Sequence, residues 1–440
     1  MTTLTAENRE SVARLGSGIT PLWELGLRLV GAALHIMATV AVVQVLQPIV
    51  AGVYFRGVII AFGLAALLRG KYDLFIFEHF IDPQQSDLGT AHARVVVRAL
   101  GIRVLVRSAI ACAVLLVITT DLDVMDVYLR PYLQTYLPFV LAVPFATLAL
   151  FLASTLRATN HVAGSVIVST YSTNVLIIAG SFAIPMLPES ALEVLSWSFF
   201  TGNLLAAGMG VLLTRHVFKT PADPGWPKLS PAEWRDIFTS TARNGLTGVA
   251  LAAVQWGPTV ILGVLGTSVE IAQYAVVTRT AQIIDFIVPG AIFVPQSARI
   301  QSRLCRAMRT ARGKLAVDLS VSLATTSLCV VAVAILTPWF VGWYGPAYAG
   351  LTLMFLLLFL MQWVNGAARP AVRRLAADWD LRRVRRALVT SMGVAIVLST
   401  LGIGRYGAVA AAVGMLAGAV VLNAQAILAA LKQVRTGTPP

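Results

Sequence analysis

Apolar runs of about 20 residues recur from one end of this chain to the other, and a run of that length crosses the hydrocarbon of a bilayer as a helix. In lipid every backbone N–H and C=O needs a partner within its own segment, so such runs fold as helices that bundle together. The composition agrees. Of 440 residues, 57% are hydrophobic and only 12% charged, whereas roughly a quarter of a soluble domain is charged. The chain reads as an all-α polytopic membrane protein.

Twelve segments fit the pattern. The first six cover 22–46, 52–68, 95–119, 133–154, 162–186 and 194–217. The second six cover 244–265, 271–295, 315–336, 349–368, 387–403 and 408–431, of which 387–403 is short for a span. Between the two sets runs "KTPADPGWPKLSPAEWRD" (219–236), with three prolines before Ser230. Ser230 can cap a helix, Pro231 suits its first position, and Glu233 completes a capping box. The expected organisation is an N-terminal tail 1–21, a six-helix lobe 22–218, a linker 219–236, a second six-helix lobe 237–431 and a C-terminal tail 432–440.

Charge sets the orientation. Connections on the side of the two tails carry "RGK", "RATNH", "RIQSRLCRAMRTARGK" and "RPAVRRLAADWDLRRVRR", while the other side has little beyond Arg130 and Arg405. Basic loops stay in the cytoplasm, so both termini are expected there. The same rule accounts for the net charge of +14. Nucleic acid is not an expected partner, because no basic helix with interleaved aromatics stands outside the membrane. The N-terminal stretch lacks an apolar signal core and is expected to remain as a tail. Cys112, Cys305 and Cys329 share no pairing or metal-binding spacing.

The two halves echo each other. "VLQPIVAGVYFR" follows the first span and "VLGTSVEIAQYAVVTR" the seventh, which places Tyr54 beside Tyr274 and Arg56 beside Arg279, with offsets that differ by a few residues. Transporters often consist of such repeats, with the substrate between them.

Ionisable groups at bilayer depth cost roughly 2.5–3.5 kcal/mol and usually face a partner or a wet cavity. On the first span Glu24 and Arg28 are a helical turn apart, and His35 and Thr39 continue the face. A pair snorkelling to the headgroups is the plain alternative for Glu24 and Arg28. Arg56 on the second span is open to the same two readings. On the eighth span Arg279 lies about eight residues in, roughly 12 Å, with Gln282 and Asp285 at the next turns. An internal network that only locks helices would also explain these three. Pro289 and Gly290 follow directly, and Gly257 and Pro258 interrupt the seventh span, so all four are candidate hinge positions. Asn174 and Asn203 read as hydrogen-bond partners between helices.

No phosphate-binding glycine loop, zinc spacing or dinucleotide fingerprint occurs. The only outer loop with carboxylates is "DLDVMDVYLRPY", about a dozen residues long, whereas membrane glycosyltransferases carry acidic catalytic residues on larger loops. An enzyme is not expected.

Four stretches carry a resemblance: "LASTLRATNHVAGSVIV"; "PAEWRDIF" together with "LGVLGTSVEIAQYAVVTRTAQIIDFIVPGAIFVPQSARI"; "FVGWYGPAYAGLTLMFLLLFLMQWVNGAARP"; and "RYGAVAAAVGMLAG". In order and spacing they resemble polysaccharide flippases for O-antigen and exopolysaccharide, within the multidrug/oligosaccharidyl-lipid/polysaccharide exporter superfamily. The resemblance implies two six-helix lobes around a central cavity, in a bacterial inner membrane. It implies alternating access and a substrate carried on undecaprenyl diphosphate, for surface polysaccharides including lipopolysaccharide. Polymerase or glycosyltransferase components would be neighbours in that assembly. In the lipid II branch, arginines on spans one, two and eight bind substrate. Carried over here, that role falls to Arg28, Arg56 and Arg279, with His35 and Gln282 beside them in the cavity. Twelve spans rather than fourteen favour the O-antigen branch. "QWGP" stands where the family has an acidic residue late in span seven, so ion coupling there is in doubt. Na+ or H+ coupling through Asp285, with Glu24 as a second acidic group, stays open; no other cofactor is implied. Two alternatives remain: a cation-coupled drug exporter on the same scaffold, and a non-transporting subunit that anchors a polysaccharide synthase.

Overall fold

The computed structural model describes residues 20–80, 90–121, 130–159, 161–186, 190–218, 230–243, 245–297, 311–377 and 381–436. Cys305, most of the acidic outer loop, the proline-rich part of the linker and most of the basic run 299–314 lie outside the described residues.

The first lobe holds helices Thr20–Val45, Pro48–Phe80, Thr90–Asp121 and Arg130–Ala158, a fifth span in three pieces, and Ala191–Val217. The second holds Gly245–Leu265, Ser268–Ser297, Ala311–Tyr344, Thr352–Ala377, Leu381–Tyr406 and Ala408–Thr436. Eleven spans among the described residues are long and apolar enough to cross a membrane. The eighth, Ser268–Ser297, is as long but carries Arg279, Gln282 and Asp285. It packs against the first, second, ninth, tenth and twelfth spans, and Tyr274, Val276 and Val277 on it are fully buried. A polar helix is tolerated there because protein, not lipid, surrounds most of it.

Local chemistry sets the helix starts. The Ser190 hydroxyl accepts from the Glu193 N–H and opens the sixth span. Thr267 and Glu270 form a reciprocal capping box at the eighth: the Thr267 N–H donates to the Glu270 carboxylate at 2.8 Å, and the Glu270 N–H to the Thr267 hydroxyl at 3.3 Å. As the Ser-Pro pattern predicts, a short helix begins at Pro231. Pro231–Arg243 is amphipathic; it buries Ile237 and stacks Trp234 on Phe238 at 5.3 Å, beside Tyr72, Phe75 and Phe218.

Helix continues through both pairs of candidate hinge residues. The seventh span runs as one helix through Gly257 and Pro258, and the eighth runs through Pro289 and Gly290. Pro258 removes one ladder hydrogen bond, and its burial among neighbouring helices holds the chain in line. The irregular span is instead the fifth, where Val162–Val166 widens into a π-helical turn, Ile167–Tyr171, before Ser172–Ala183.

The first two helices of each lobe form the contact between lobes. The second span packs on both the seventh and the eighth, with Gly52 beside the Ser268 backbone at the start of the eighth and Gly70 beside the Gly248 carbonyl of the seventh. The first packs on the eighth. The internal repeat is exact at this junction. Both turns are two residues long, the following helices begin at Pro48 and Ser268, and Tyr54 and Tyr274 each stand six residues further on, fully buried. By that register Arg279 corresponds to Ile59, not to Arg56. The tyrosines obey the pseudo-symmetry and the arginines do not.

Candidate functional site

The first described helix begins and the last ends at one end of the bundle, the end expected from the sequence to carry the basic connections and called here the basic end. The predicted site residues divide by distance from it.

Toward the opposite end, the residues bind one lobe to the other. Arg56 donates from Nη2 to the Gly266 carbonyl at 3.0 Å, which closes the C-terminus of the seventh span. Arg279 reaches from the second lobe to the first: its guanidinium lies 5.2 Å from the centre of the Phe55 ring, and Nη1 donates to the Thr39 hydroxyl at 3.5 Å. The Tyr54 and Tyr344 phenols surround it. Both arginines therefore face protein, and Arg56 stands in a different contact from Arg279.

At mid-span, three helices share a polar junction. His35 Nε2 pairs with Gln282 Oε1 at 3.1 Å, Asn174 Nδ2 faces His35 Nδ1 at 3.5 Å, and Phe286 packs on the imidazole at 5.8 Å. Asn174 is thus the interhelical partner expected of it. Asn203 is not: its amide donates to the Phe199 carbonyl on its own helix, because a Gly-rich face already brings the neighbouring backbone close. The π turn sends the Tyr171 hydroxyl to the Leu27 carbonyl of the first span.

Nearer the basic end the character changes. Asp285 lies about 25 Å along the eighth span from Ser268, yet its side chain is 48% exposed. It pairs with Arg369 of the tenth span at 3.7 Å and accepts a hydrogen bond from Gln362. Across the cleft stands Arg28 of the first span, only 6% exposed, with a buried Nε that has no hydrogen-bond partner. Arg28 is within electrostatic reach of Arg157, Arg369 and Glu24. Guanidiniums of both lobes thus gather at Arg28, and each carboxylate is tied to one of them, Glu24 to Arg28 and Asp285 to Arg369. Like charges gathered at a buried guanidinium repel, with less solvent to screen them than at a surface. Such a group stores affinity for an anion, and guanidinium is the side chain best shaped for phosphate oxygens.

The structure therefore brings together Arg28, Glu24 and Asp285 with two residues the sequence reading passed over, Arg157 and Arg369. It places His35 and Gln282 above them, Arg279 beyond those, and Arg56 at the far rim. A signal for the two missed arginines was present: each opens its basic run at the apolar edge, after "LASTL" and after "VNGAA".

No known protein family matches the chain, and no curated protein sequence does. Solved structures do share its fold. The lipid II flippase MurJ in an inward closed conformation superposes with a TM-score of 0.62 at 12% identity, over 93% of this chain and 87% of that one. An outward-facing multidrug resistance MATE family transporter of the MOP superfamily gives 0.58 at 10% identity, over 94% and 96%. A MOP superfamily transporter from Pyrococcus furiosus, described as having a binding pocket of reversed polarity, gives 0.56 at 9%, over 94% and 96%. The fold is the two-lobed one these transporters share.

Proposed function

We propose that the chain is an alternating-access transporter whose cargo carries a diphosphate, and that this cargo is a lipid-linked saccharide destined for surface polysaccharide. The observation that carries the reading is the gathering of Arg157 and Arg369 at Arg28, from both lobes, with a half-exposed Asp285 paired to Arg369. A diphosphate brings at least two negative charges. Guanidiniums that repel one another without it bind it with charge-assisted bonds, and the ligand gains from drawing the lobes together. The lipid tail stays in the bilayer outside the cleft. The basic end faces the cytoplasm of a bacterial inner membrane by the rule of basic loops, so the headgroup enters from the side where such lipids are assembled.

Lipid II, the substrate named for one structural neighbour, belongs to the same chemical class. A cationic drug would meet three arginines against two carboxylates, and nothing in the cleft favours it.

Reconstitution tests this. Vesicles holding the purified protein and a fluorescent undecaprenyl-diphosphate oligosaccharide are probed with an impermeant quencher. Wild type should render the inner pool accessible, and Arg28→Ala and Arg369→Ala should lower the rate at least tenfold while the protein stays monodisperse. Equal rates in all three, or export of a cationic dye lost on Asp285→Asn with no saccharide movement, would end the proposal.

A further inference from the structure

A second charged site lies away from the cleft, within the first lobe. The third, fourth and sixth spans enclose a groove of about 530 Å3, within the range of small-molecule sites. Arg94 and Arg98, a helical turn apart on the third span, stand at its mouth with Arg215 at the end of the sixth. Ile102 and Leu148 are among its apolar walls.

Depth matches a headgroup. Arg103 lies over the Phe238 ring of the amphipathic surface helix at 3.4 Å, which marks the membrane interface at the basic end. Arg98 and Arg94 are one and two turns further out, and Arg98 is about 34 Å along the helix from Asp121, slightly more than the hydrocarbon thickness. On the inward side Ile102 leads into a stripe of Val106, Ile110, Val114 and Val117, each at least half exposed. Those residues face acyl chains, so the groove opens onto lipid tails and not onto water alone.

One polar group inside is unsatisfied. Thr214 lines the groove, is 8% exposed, and its hydroxyl has no hydrogen-bond partner. Rotation about χ1 would offer it to an oxygen held by the arginines.

We propose that this groove binds an anionic phospholipid of the leaflet at the basic end, its phosphodiester on Arg94, Arg98 and Arg215 and one acyl chain along Ile102 and Val106. The cations supply charge complementarity, and the apolar wall below them selects a lipid over free phosphate. The site does not depend on the cargo reading, because it shares no residue with the cleft.

Native mass spectrometry of the detergent-solubilised full chain tests it, with phosphatidylglycerol and phosphatidylcholine of identical chains. Phosphatidylglycerol should be retained about tenfold better, and the Arg98→Gln/Arg215→Gln double variant should lose that preference. Exposed arginines elsewhere at the basic end, removed as Arg385→Gln/Arg386→Gln, should leave it unchanged. If the double variant fails to fold, Ile102→Trp fills the groove without touching charge, and should lower retention to a similar degree. Equal retention of the two lipids, no loss in the groove variants, an equal loss in the control, or displacement of lipid by millimolar inorganic phosphate would each overturn the proposal.

Discussion

Asp285 and Arg369 are 3.7 Å apart, and Asp285 is the carboxylate that the second lobe contributes to the cluster, as Glu24 is that of the first. In the empty cleft it offsets part of the repulsion among Arg28, Arg157 and Arg369. The diphosphate of the proposed cargo would compete with it for the same guanidinium. Asp285→Asn should therefore strengthen headgroup binding, by about tenfold for one removed unfavourable charge at a site of intermediate dielectric, and slow release so that turnover falls. Titration of the purified variant with a water-soluble sugar diphosphate reads the first effect, and weaker binding would contradict it. Depth made Asp285, Gln282 and Arg279 visible in the sequence, since no lipid-facing helix keeps three such groups in two turns. Arg157 and Arg369 stayed hidden for the opposite reason. They sit in basic runs that orientation alone explains, and only their place at the apolar edge separates them from solvated neighbours.

The helix start at Pro231 was legible because capping is local chemistry. The π turn at Ile167–Tyr171 was not, because a widened turn has no composition of its own. It is fixed by what the fifth span must reach, the Leu27 carbonyl and His35 on the first. Helix continues through the proline and glycine of the seventh and eighth spans. The seam between the second span and the start of the eighth shows where glycine is indispensable. A Cβ on Gly52 would stand 1.8 Å from the Ser268 carbonyl oxygen, a backbone atom, whereas one on Gly26 meets nothing within 4 Å. Gly52→Ala should cost about 1–3 kcal/mol by forcing the lobes apart, and Gly26→Ala should stay within about 0.5 kcal/mol of wild type. Thermal unfolding in detergent followed by tryptophan emission distinguishes them; equal melting of the two variants would mean the seam is not tight.

At the scale of the whole molecule, the lobes are fastened unevenly. Away from the basic end Arg56 holds the Gly266 carbonyl, Arg279 holds Thr39 and Phe55, and His35 holds Gln282. Toward the basic end no such contact is seen at Asp285 of the eighth span, which pairs within its own lobe with Arg369 and is half exposed. In the transporter proposed above, this arrangement is the state closed at one face, and the opposite state requires those contacts to break. A ligand can drive that change only by binding the second state better, so the closing contacts must be weak enough for a headgroup to outweigh. Hydrogen bonds to a charged group contribute about 1.5–3 kcal/mol each. Arg56→Ala should then move the resting population toward the other state by at least tenfold. In a cysteine-free background, Thr39→Cys is shielded by Arg279 and should react slowly with an impermeant maleimide added at the face away from the basic end. Adding Arg56→Ala should raise that rate about tenfold and lower the labelling of Asp285→Cys from the basic end. The reciprocal change is the decisive feature. A fixed bundle with a loosened rim would gain reactivity at 39 and keep it at 285, and only a protein that exchanges one opening for the other loses the second as it gains the first.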